Sequence, residues 1–497
     1  MNSKHLINLF VVLFAILFLS TSPPLLYADI STDGSVGAAQ TLTGPDYAIP
    51  ETLGRLKGSN LFHSFDKFSI KTEESATFTG SDSIKNVISR VTGGGKSEID
   101  GTLRSNVGKA DFYFVNPSGV VFGENAKIDV PAAFHASTGN ELKFADGSSF
   151  KASTSEKSTL TQAAPESFGF LGTQSASIEV NGSTLDFKPE SKVSLTSSKD
   201  IAIKGIEKET SIGIEAKQAS LTSYGGEIEL KAGGDLLLDN VKVESSGNGG
   251  GKISLKAKNL TITNNANIGS NNIGDKNAYA GVDVAVENQL EILNGGGISS
   301  STLSEGNAGY VKIDAEHIKI NGIGTNDYQY TGIWSDAYST SQGNAGAVEI
   351  TVSGLLEILN GGQISSATYS TGDGNNVFIK AGNLRINRGL THKFTGIWSD
   401  TTNAGNAGIV EVSVNGLLEI LNGGQISSDT WSIGDGNTVS VNADTLIIDN
   451  EGVVDQYTGI WSDAEPDSQG NAGTVEVSVN GLLEILNGGQ ISSATYS

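Results

Sequence analysis

The sequence has no cysteine and only five histidines among its 497 residues. The missing thiols exclude a disulfide framework and every cysteine-ligated metal centre. The histidines are scattered, without an H-x-x-x-H pair, so we predict no metal site and no bound cofactor. Helical periodicity is missing as well, and proline occurs only nine times. These absences favour an all-β chain without a metal centre.

Basic residues are scarce: 32 Lys and Arg stand against 55 Asp and Glu, which gives a formal net charge of -23. A chain this acidic repels phosphate backbones and anionic lipid headgroups. Beyond the N-terminus, no run is apolar enough to cross a bilayer. We therefore expect neither a nucleic-acid partner nor stable membrane insertion.

The one long apolar run, LINLFVVLFAILFL at residues 6–19, follows Lys4 and precedes Pro23-Pro24. It is too short to span a bilayer comfortably, and a cleavage site after Ala28 is plausible. The sequence predicts a signal peptide at 1–28, with a retained membrane anchor as the alternative. The mature chain would then be secreted or carried to the cell surface through the periplasm.

Internal repetition is the strongest feature of the sequence. Two motifs recur at intervals of 62 to 66 residues: LEILNGG begins at Leu290, Leu356, Leu418 and Leu483, and TGIWSD begins at Thr331, Thr395 and Thr458. A weaker unit of 28 to 38 residues lies within this period, with three short strands and a Gly/Asn-rich loop. Similar units at near-constant spacing favour a parallel β-helix over a propeller or a sandwich.

If the coils stack in register, two columns of side chains can be predicted. The four leucines of LEILNGG should form one internal column, two coils apart. In each coil, one residue directly follows the leucine of the column or the Leu or Ile at the equivalent position. These residues should stack on the outer face as a ladder of mostly alternating charge. This ladder consists of Glu291, Lys319, Glu357, Arg385, Glu419, Ile447 and Glu484.

The N-terminal half resembles a known family. Five stretches follow in order after the signal peptide: GSNLFHSFDKFSI, SATFTGSDSIKNVISRVTGG, SEIDGTL, FHAST and SFGFLG. Together they resemble the haemagglutination-activity, or two-partner-secretion, domain of filamentous-haemagglutinin-like exoproteins. The family's NPNL motif is missing, and IKNVISRVTGG resembles the variant that lacks it.

The stretch NPSGV, which consists of Asn116, Pro117, Ser118, Gly119 and Val120, resembles that family's NPNGI motif. It joins two apolar runs, and its Asn-Pro and Gly residues predict a tight turn. We expect Asn116 to cap the turn through its side chain and Val120 to anchor the next strand. Through the resemblance, the motif is also our candidate for the site that a transporter recognises; the alternative is that it is only a hairpin or a coil corner.

The resemblance, which covers roughly residues 29–180, implies a capped right-handed parallel β-helix. We place the secretion domain at 29–225, and the internal repeats place coils of about 30 residues and three strands at 226–497. We expect this chain to end mid-coil. The family's partner is an outer-membrane barrel transporter with periplasmic POTRA domains. The implied protein is an adhesin-type exoprotein that binds a glycan or protein on a host or neighbouring cell.

An enzyme is the competing interpretation, because β-helices also degrade polysaccharides. Glycoside cleavage needs two carboxylates beside a cleft. The repeated acids Asp336, Asp400 and Asp463 are copies of one another, which favours a turn cap over a catalytic pair. Trp334, Trp398 and Trp461 could line a glycan-binding row, but corner packing is favoured. We therefore predict no enzyme activity.

Overall fold

The computed structural model describes residues 30–171, 175–210, 213–326, 329–389, 391–451 and 457–496. The predicted signal peptide lies outside the described residues. Within the described ranges, helix is limited to one 3-10 turn, Glu51–Leu53, and no helix is long and apolar enough to span a bilayer.

The strands of the N-terminal half are short. In chain order they are β1 Ile30–Thr32, β2 Asp46–Pro50, β3 Arg55–Lys57, β4 Asn60–Phe68, β5 Ser75–Thr79, β6 Asn86–Val91, β7 Ser97–Ile99, β8 Thr102–Asn106, β9 Asp111–Val115, β10 Val120–Phe122, β11 Lys127–Asp129, β12 Phe134–Ser137, β13 Glu141–Phe144, β14 Ser149–Lys151, β15 Pro165–Gly169, β16 Ile178–Asn181, β17 Thr184–Asp186, β18 Lys192–Ser197, β19 Ile201–Lys204, β20 Ile206–Thr210, β21 Gly213–Lys217 and β22 Ala219–Thr222.

In the C-terminal half, some strands have 11 or 12 residues and the others have 3 to 6. They are β23 Glu227–Ala232, β24 Asp235–Asp239, β25 Val241–Glu244, β26 Lys252–Thr263, β27 Asn267–Gly269, β28 Val282–Leu293, β29 Gly297–Ser299, β30 Val311–Ala315, β31 His317–Asn321, β32 Thr331–Trp334, β33 Val348–Leu359, β34 Gly362–Ser365, β35 Val377–Asn387, β36 Thr395–Trp398, β37 Val410–Leu421, β38 Gly424–Ser427, β39 Val439–Asp449, β40 Gly459–Trp461, β41 Val475–Val479, β42 Leu483–Leu486 and β43 Gln490–Ser492.

Each long strand pairs in parallel with the strand one coil later, as β33 does with β35 and β35 with β37. The short strands form a second parallel sheet of 11 strands. The predicted parallel β-helix is thereby confirmed. One detail differs from the expected three strands per coil: in β33 the first two strands join through a register shift between Val352 and Leu355. A bulge bends the chain there without ending the ladder.

The predicted leucine column is confirmed. Parallel pairing places one side chain per coil in the same register: Leu290, Ile318, Leu356, Leu384, Leu418, Leu446 and Leu483. All except the last are at most 1% exposed. Leu483, in the last described coil, is 46% exposed. Burial of one large aliphatic side chain per coil, worth about 1.5–3 kcal/mol each, holds the bore together.

The charge ladder has the predicted register. Glu357 pairs with Lys319 on one side and with Arg385 on the other. Arg385 Nε lies 3.9 Å from Glu419 Oε2, with both side chains partly exposed. Exposed pairs of this kind contribute about 0–1 kcal/mol, so the ladder biases register and the buried column supplies the stability.

Serine and glycine fill the inner corners between sheets. Ser399 Oγ donates to the carbonyl oxygens of Ser366 and Asn375, both at 2.8 Å, and thereby ties its coil to the one before it. At Gly346 a Cβ would lie 1.6 Å from the carbonyl oxygen of Gly309. The coils approach too closely there for any side chain, which explains the recurring glycine of the loops.

The N-terminal end is capped by antiparallel pairing of β1 and β3 with β4, and large aromatic side chains fill its core. A separate antiparallel sheet of β14, β13 and β15 packs on the outside of the helix through Phe62, Ile88 and Phe150. The large core cluster continues across residue 225, and the domain boundary placed there stays a prediction.

His63 is buried in the capped end, with 0% exposure, between the rings of Phe65 and Phe78. Neither ring nitrogen has a hydrogen-bond partner. Burial lowers the pKa of His63 to about 3, because the surrounding apolar side chains cannot solvate an imidazolium.

Replacement of Leu418 by Asp should destabilise the coils by several kcal/mol, since it places an unpaired charge in the bore. Thermal unfolding monitored by circular dichroism measures the effect. Asn415→Asp is the matched control, because it adds the same charge at an exposed position of the same strand. Equal melting temperatures for the two variants would contradict the buried column.

His63 should make the capped end sensitive to acid. Its pKa in the unfolded chain, about 6.5, exceeds the value of about 3 in the fold, so its stabilising contribution is lost as the pH falls below 6.5. At pH 5 the loss should be about 2 kcal/mol. Urea unfolding at pH 5 and pH 7.5 tests this: His63→Leu should show a smaller pH dependence than the native chain, while His392→Leu, at an exposed position, should not.

Candidate functional site

The Asn116–Val120 turn lies between two strands that do not pair with each other. β9, which precedes it, pairs in parallel with β6 and β12. β10, which follows it, pairs in parallel with β7 and β16. The turn is therefore a corner of one coil and not a hairpin, and its position is fixed by the coils on both sides.

Asn116 is fully buried at this corner. Its Nδ2 donates to the carbonyl oxygen of Gly95 at 3.0 Å and to Ser97 Oγ at 2.9 Å. Its Oδ1 accepts the N–H of Ser118 at 2.9 Å, which closes an Asx turn. The backbone N–H of Asn116 donates to Ser137 of the next coil at 2.9 Å. One side chain thus closes the turn and joins it to the coil below.

The other four residues each have a separate structural part in the turn. Gly119 has φ +116°, in the region that favours glycine, and its N–H donates to the carbonyl oxygen of Asn116 at 3.1 Å. Val120 is fully buried at the start of β10. Pro117 and Ser118 are partly exposed and form the accessible edge of the corner.

A charged pair lies beside this edge. Lys96 Nζ is 3.3 Å from Glu179 Oε1, and both side chains are more than a third exposed. A Cβ added at Gly119 would lie 3.3 Å from Lys96 Cγ, which places the lysine stem against the turn. The corner therefore presents a small surface formed by Pro117, Ser118, Lys96 and Glu179, which we name the corner surface.

Two further stretches of the N-terminal half meet at another place. His135 of FHAST stacks on Tyr113 with ring centroids 4.5 Å apart. The two rings line a cavity of about 180 Å³ together with Phe168 of SFGFLG and Lys192. Burial, with a smaller effect of Lys192, lowers the pKa of His135 to about 4, so this histidine is neutral at physiological pH.

Arg90 is a buried residue that the sequence analysis did not identify, with 3% exposure. It donates to Ser64 Oγ at 2.7 Å, to Ser158 Oγ at 2.7 Å and to Ser35 Oγ at 2.8 Å, and also to the carbonyl of Lys151. Its guanidinium lies 4.2 Å from the centre of the Phe150 ring. Arg90 thus fastens the outer antiparallel sheet to the capped end. An arginine inside the apolar strand NVISRV was the available signal.

Residues of the two alternative sites have structural roles in the described coils. Trp398 and Trp461 are 8% exposed and pack in corners, whereas Trp334 is partly exposed. Asp336 Oδ1 accepts Ser365 Oγ at 2.8 Å and the N–H of Ala367 at 2.9 Å, as expected for a structural acid. Within the described ranges no three His, Asp or Glu side chains are grouped so that they could hold a metal ion.

Comparisons with a family model and with solved structures found similar proteins. The family model of the TPS secretion domain matches residues 28–302. Among solved structures, the secretion domain of HMW1 from Haemophilus influenzae aligns with 93% of this chain and 98% of its own, at 13% identity and a TM-score of 0.36. No curated protein matches the chain.

Replacement of Asn116 by Ala should destabilise the N-terminal half by about 2–3 kcal/mol, since three hydrogen bonds are lost at a buried position. Asn294→Ala provides the comparison, because Asn294 is an exposed turn asparagine whose side chain makes one long bond of 3.4 Å. Urea unfolding curves measure both changes. A loss for Asn116→Ala no larger than that for Asn294→Ala would show that the corner does not depend on this side chain.

Proposed function

The chain belongs to the family that carries the TPS secretion domain, and on that premise we propose that the Asn116–Val120 corner is the part of the domain that its transporter recognises. As a two-partner-secretion exoprotein, it is exported across the outer membrane by a dedicated transporter. The family membership predicted from the sequence motifs is confirmed.

The burial and hydrogen bonds of Asn116 carry the proposal. They hold Pro117 and Ser118 in one geometry at the edge of a coil, so the transporter meets a preformed surface and little ordering energy is lost on binding. The neighbouring Lys96–Glu179 pair adds charge of both signs to the corner surface. We propose that the periplasmic POTRA domains of the transporter bind this surface.

Adhesion is the proposed role of the mature chain at its destination. A long stack of coils with an acidic surface extends from the secretion domain, a shape suited to contact a glycan or protein on a host or neighbouring cell. The polysaccharide-degrading alternative has less support. The family match is to a secretion domain, and Asp336, one of the repeated acids, is taken up by hydrogen bonds between coils.

The absence of cysteine fits this route of export. A chain that crosses a narrow barrel cannot carry crosslinked loops, and no cysteine is present to form them. Outside the cell each folded coil offers a template for the next, because its backbone groups pair with the coil that follows. Folding by successive coils would draw the chain outward without a periplasmic energy source.

Two substitutions separate recognition from folding. Ser118→Lys changes the corner surface, but the Asx turn uses only the backbone N–H of Ser118 and should persist. With the partner transporter co-expressed, we expect this variant to accumulate in the periplasm while its unfolding curve stays unchanged. Asn116→Ala should accumulate there as well, with reduced stability. The measurement is extracellular against periplasmic antigen by immunoblotting.

The controls lie in the repeats. Ser353→Lys adds the same charge at an exposed position of a long strand, and Asn294→Ala removes an exposed turn asparagine. Both should be released normally. Normal release of Ser118→Lys and Asn116→Ala would mean that the corner is only part of the architecture and that the transporter recognises another surface.

A further inference from the structure

In one column of the repeats, the backbone N–H of most residues is bound by a side chain of the preceding coil and not by a backbone carbonyl. The column contains one residue per coil, next to the corner at which the two sheets meet: Ser246, Asn271, Ser301, Asp336, Ala367, Asp400, Asp429, Asp463 and Ala494. In most coils the side-chain oxygen accepts the N–H of the following column residue, at 2.7 to 3.0 Å. We name it the acceptor column.

Three successive coils place an aspartate in this column. Asp400 Oδ1 accepts the N–H of Asp429 at 2.9 Å, and Asp429 Oδ1 accepts the N–H of Asp463 at 2.7 Å. Coils stack about 4.8 Å apart, so the three carboxyl groups are near neighbours. Asp429 is 2% exposed, Asp463 is 6% exposed and Asp400 is partly buried. The fold therefore holds three acids close together with little water.

The hydrogen bonds do not require negative charge. Asn271 occupies the same column, and its Oδ1 accepts the N–H of Ser301 at 2.8 Å. Ser246 and Ser301 serve equally well through their hydroxyl oxygens. A neutral side chain thus satisfies the N–H of the following coil, so negative charge on the three aspartates adds repulsion and a desolvation cost that this bond does not require.

Serine hydroxyls donate to two of the three acids, Ser427 Oγ to Asp400 Oδ1 at 2.9 Å and Ser492 Oγ to Asp463 Oδ1 at 2.8 Å, but the charged groups that shift the pKa values of Asp400 and Asp429 are acids. Glu465, at the corner above, raises the pKa of both Asp400 and Asp429. Asp336 lies in the same column two coils below Asp400 and is a further acid. The phenol groups of Tyr338 and Tyr369 face the lower acids, and their own pKa values are raised, so both are neutral. Burial is the main cause that raises the pKa of Asp400 to about 6, and burial with the charge of Asp400 raises that of Asp429.

We propose that Asp400 and Asp429 form a proton-binding site, in which one carboxylate of the pair takes a proton from solvent in mildly acidic surroundings and the coils from 395 to 465 become more stable. The proton removes one buried negative charge and provides an O–H donor for the neighbouring oxygen. No bond between heavy atoms changes.

The sign of the effect is opposite to that of His63. An aspartate with a pKa of about 3.8 in the unfolded chain and about 6 in the fold stabilises most at low pH, and the contribution is lost as the pH rises through 6. The capped end therefore weakens in acid while these coils strengthen. Mild acid would shift stability from the secretion domain towards the repeats.

Hydrogen exchange of the full chain, followed by mass spectrometry and corrected for the intrinsic exchange rate, tests the site. Peptides from 395 to 451 and from 457 to 465 should be about tenfold better protected at pH 5 than at pH 8, because pH 5 lies one unit below the folded-state pKa of about 6 and one unit corresponds to a tenfold change. In the double variant Asp400→Asn/Asp429→Asn this pH difference should shrink to less than threefold, with protection at pH 8 at or above that of the native chain. Each single variant should keep part of the pH difference, because burial still raises the pKa of the remaining aspartate.

Asp435→Asn is the matched control. Asp435 lies in a neighbouring coil corner and also accepts a backbone N–H, that of Asn471 at 2.8 Å, but it is exposed. It should keep the native pH dependence. Infrared spectra of the folded chain give a second readout, because a carboxylic acid band should be present at pH 5.5 and weaker in Asp400→Asn. A native pH dependence retained in the double variant, or lost equally in Asp435→Asn, would overturn the proposal.

Discussion

Hydrogen bonds that run from each coil to the next, parallel to the long axis, are the interaction on which the whole structure depends. They keep every residue in register with its counterpart one coil away, so like side chains stack in columns. Whatever occupies a column must therefore suit its neighbours above and below. The leucines of the bore, the serines of the corners and the glycines of the loops all follow from this requirement.

The same constraint explains why the repeat spans two coils. The position of Trp398 pairs with Ser365 on one side and with Ser427 on the other, and Trp461 follows Ser427. A large ring in every coil, about 4.8 Å apart, would crowd the corner, whereas a serine between two rings leaves room for each. Packing of alternating large and small side chains thus makes two coils, and not one, the unit that repeats in the sequence.

The N-terminal half obeys the same register but is fastened differently. Its coils differ from one another, and large aromatic side chains fill the space that aliphatic columns fill later in the chain. In this half, single buried polar residues hold neighbouring segments together, as the repeated serines do in the later coils. Arg90 attaches the outer sheet, and Asn116 fixes one corner. Unique contacts suit a domain that a partner must recognise, since a repeated surface would offer many equivalent positions.

The sequence alone determined the coil repeat, the register of the leucine and charge columns, and the turn at Asn116, because each depends on local spacing and turn chemistry. Family resemblance added the secretion domain. Only the tertiary structure decided that the first two strands of a coil merge at a bulge, that Arg90 joins two sheets, and that Asp400, Asp429 and Asp463 share a column with Asn271. The physical reason is that coil length varies between 28 and 38 residues. The stacking of the coils therefore decides which corner residues point inward and which side chains they contact. Their distance along the chain does not.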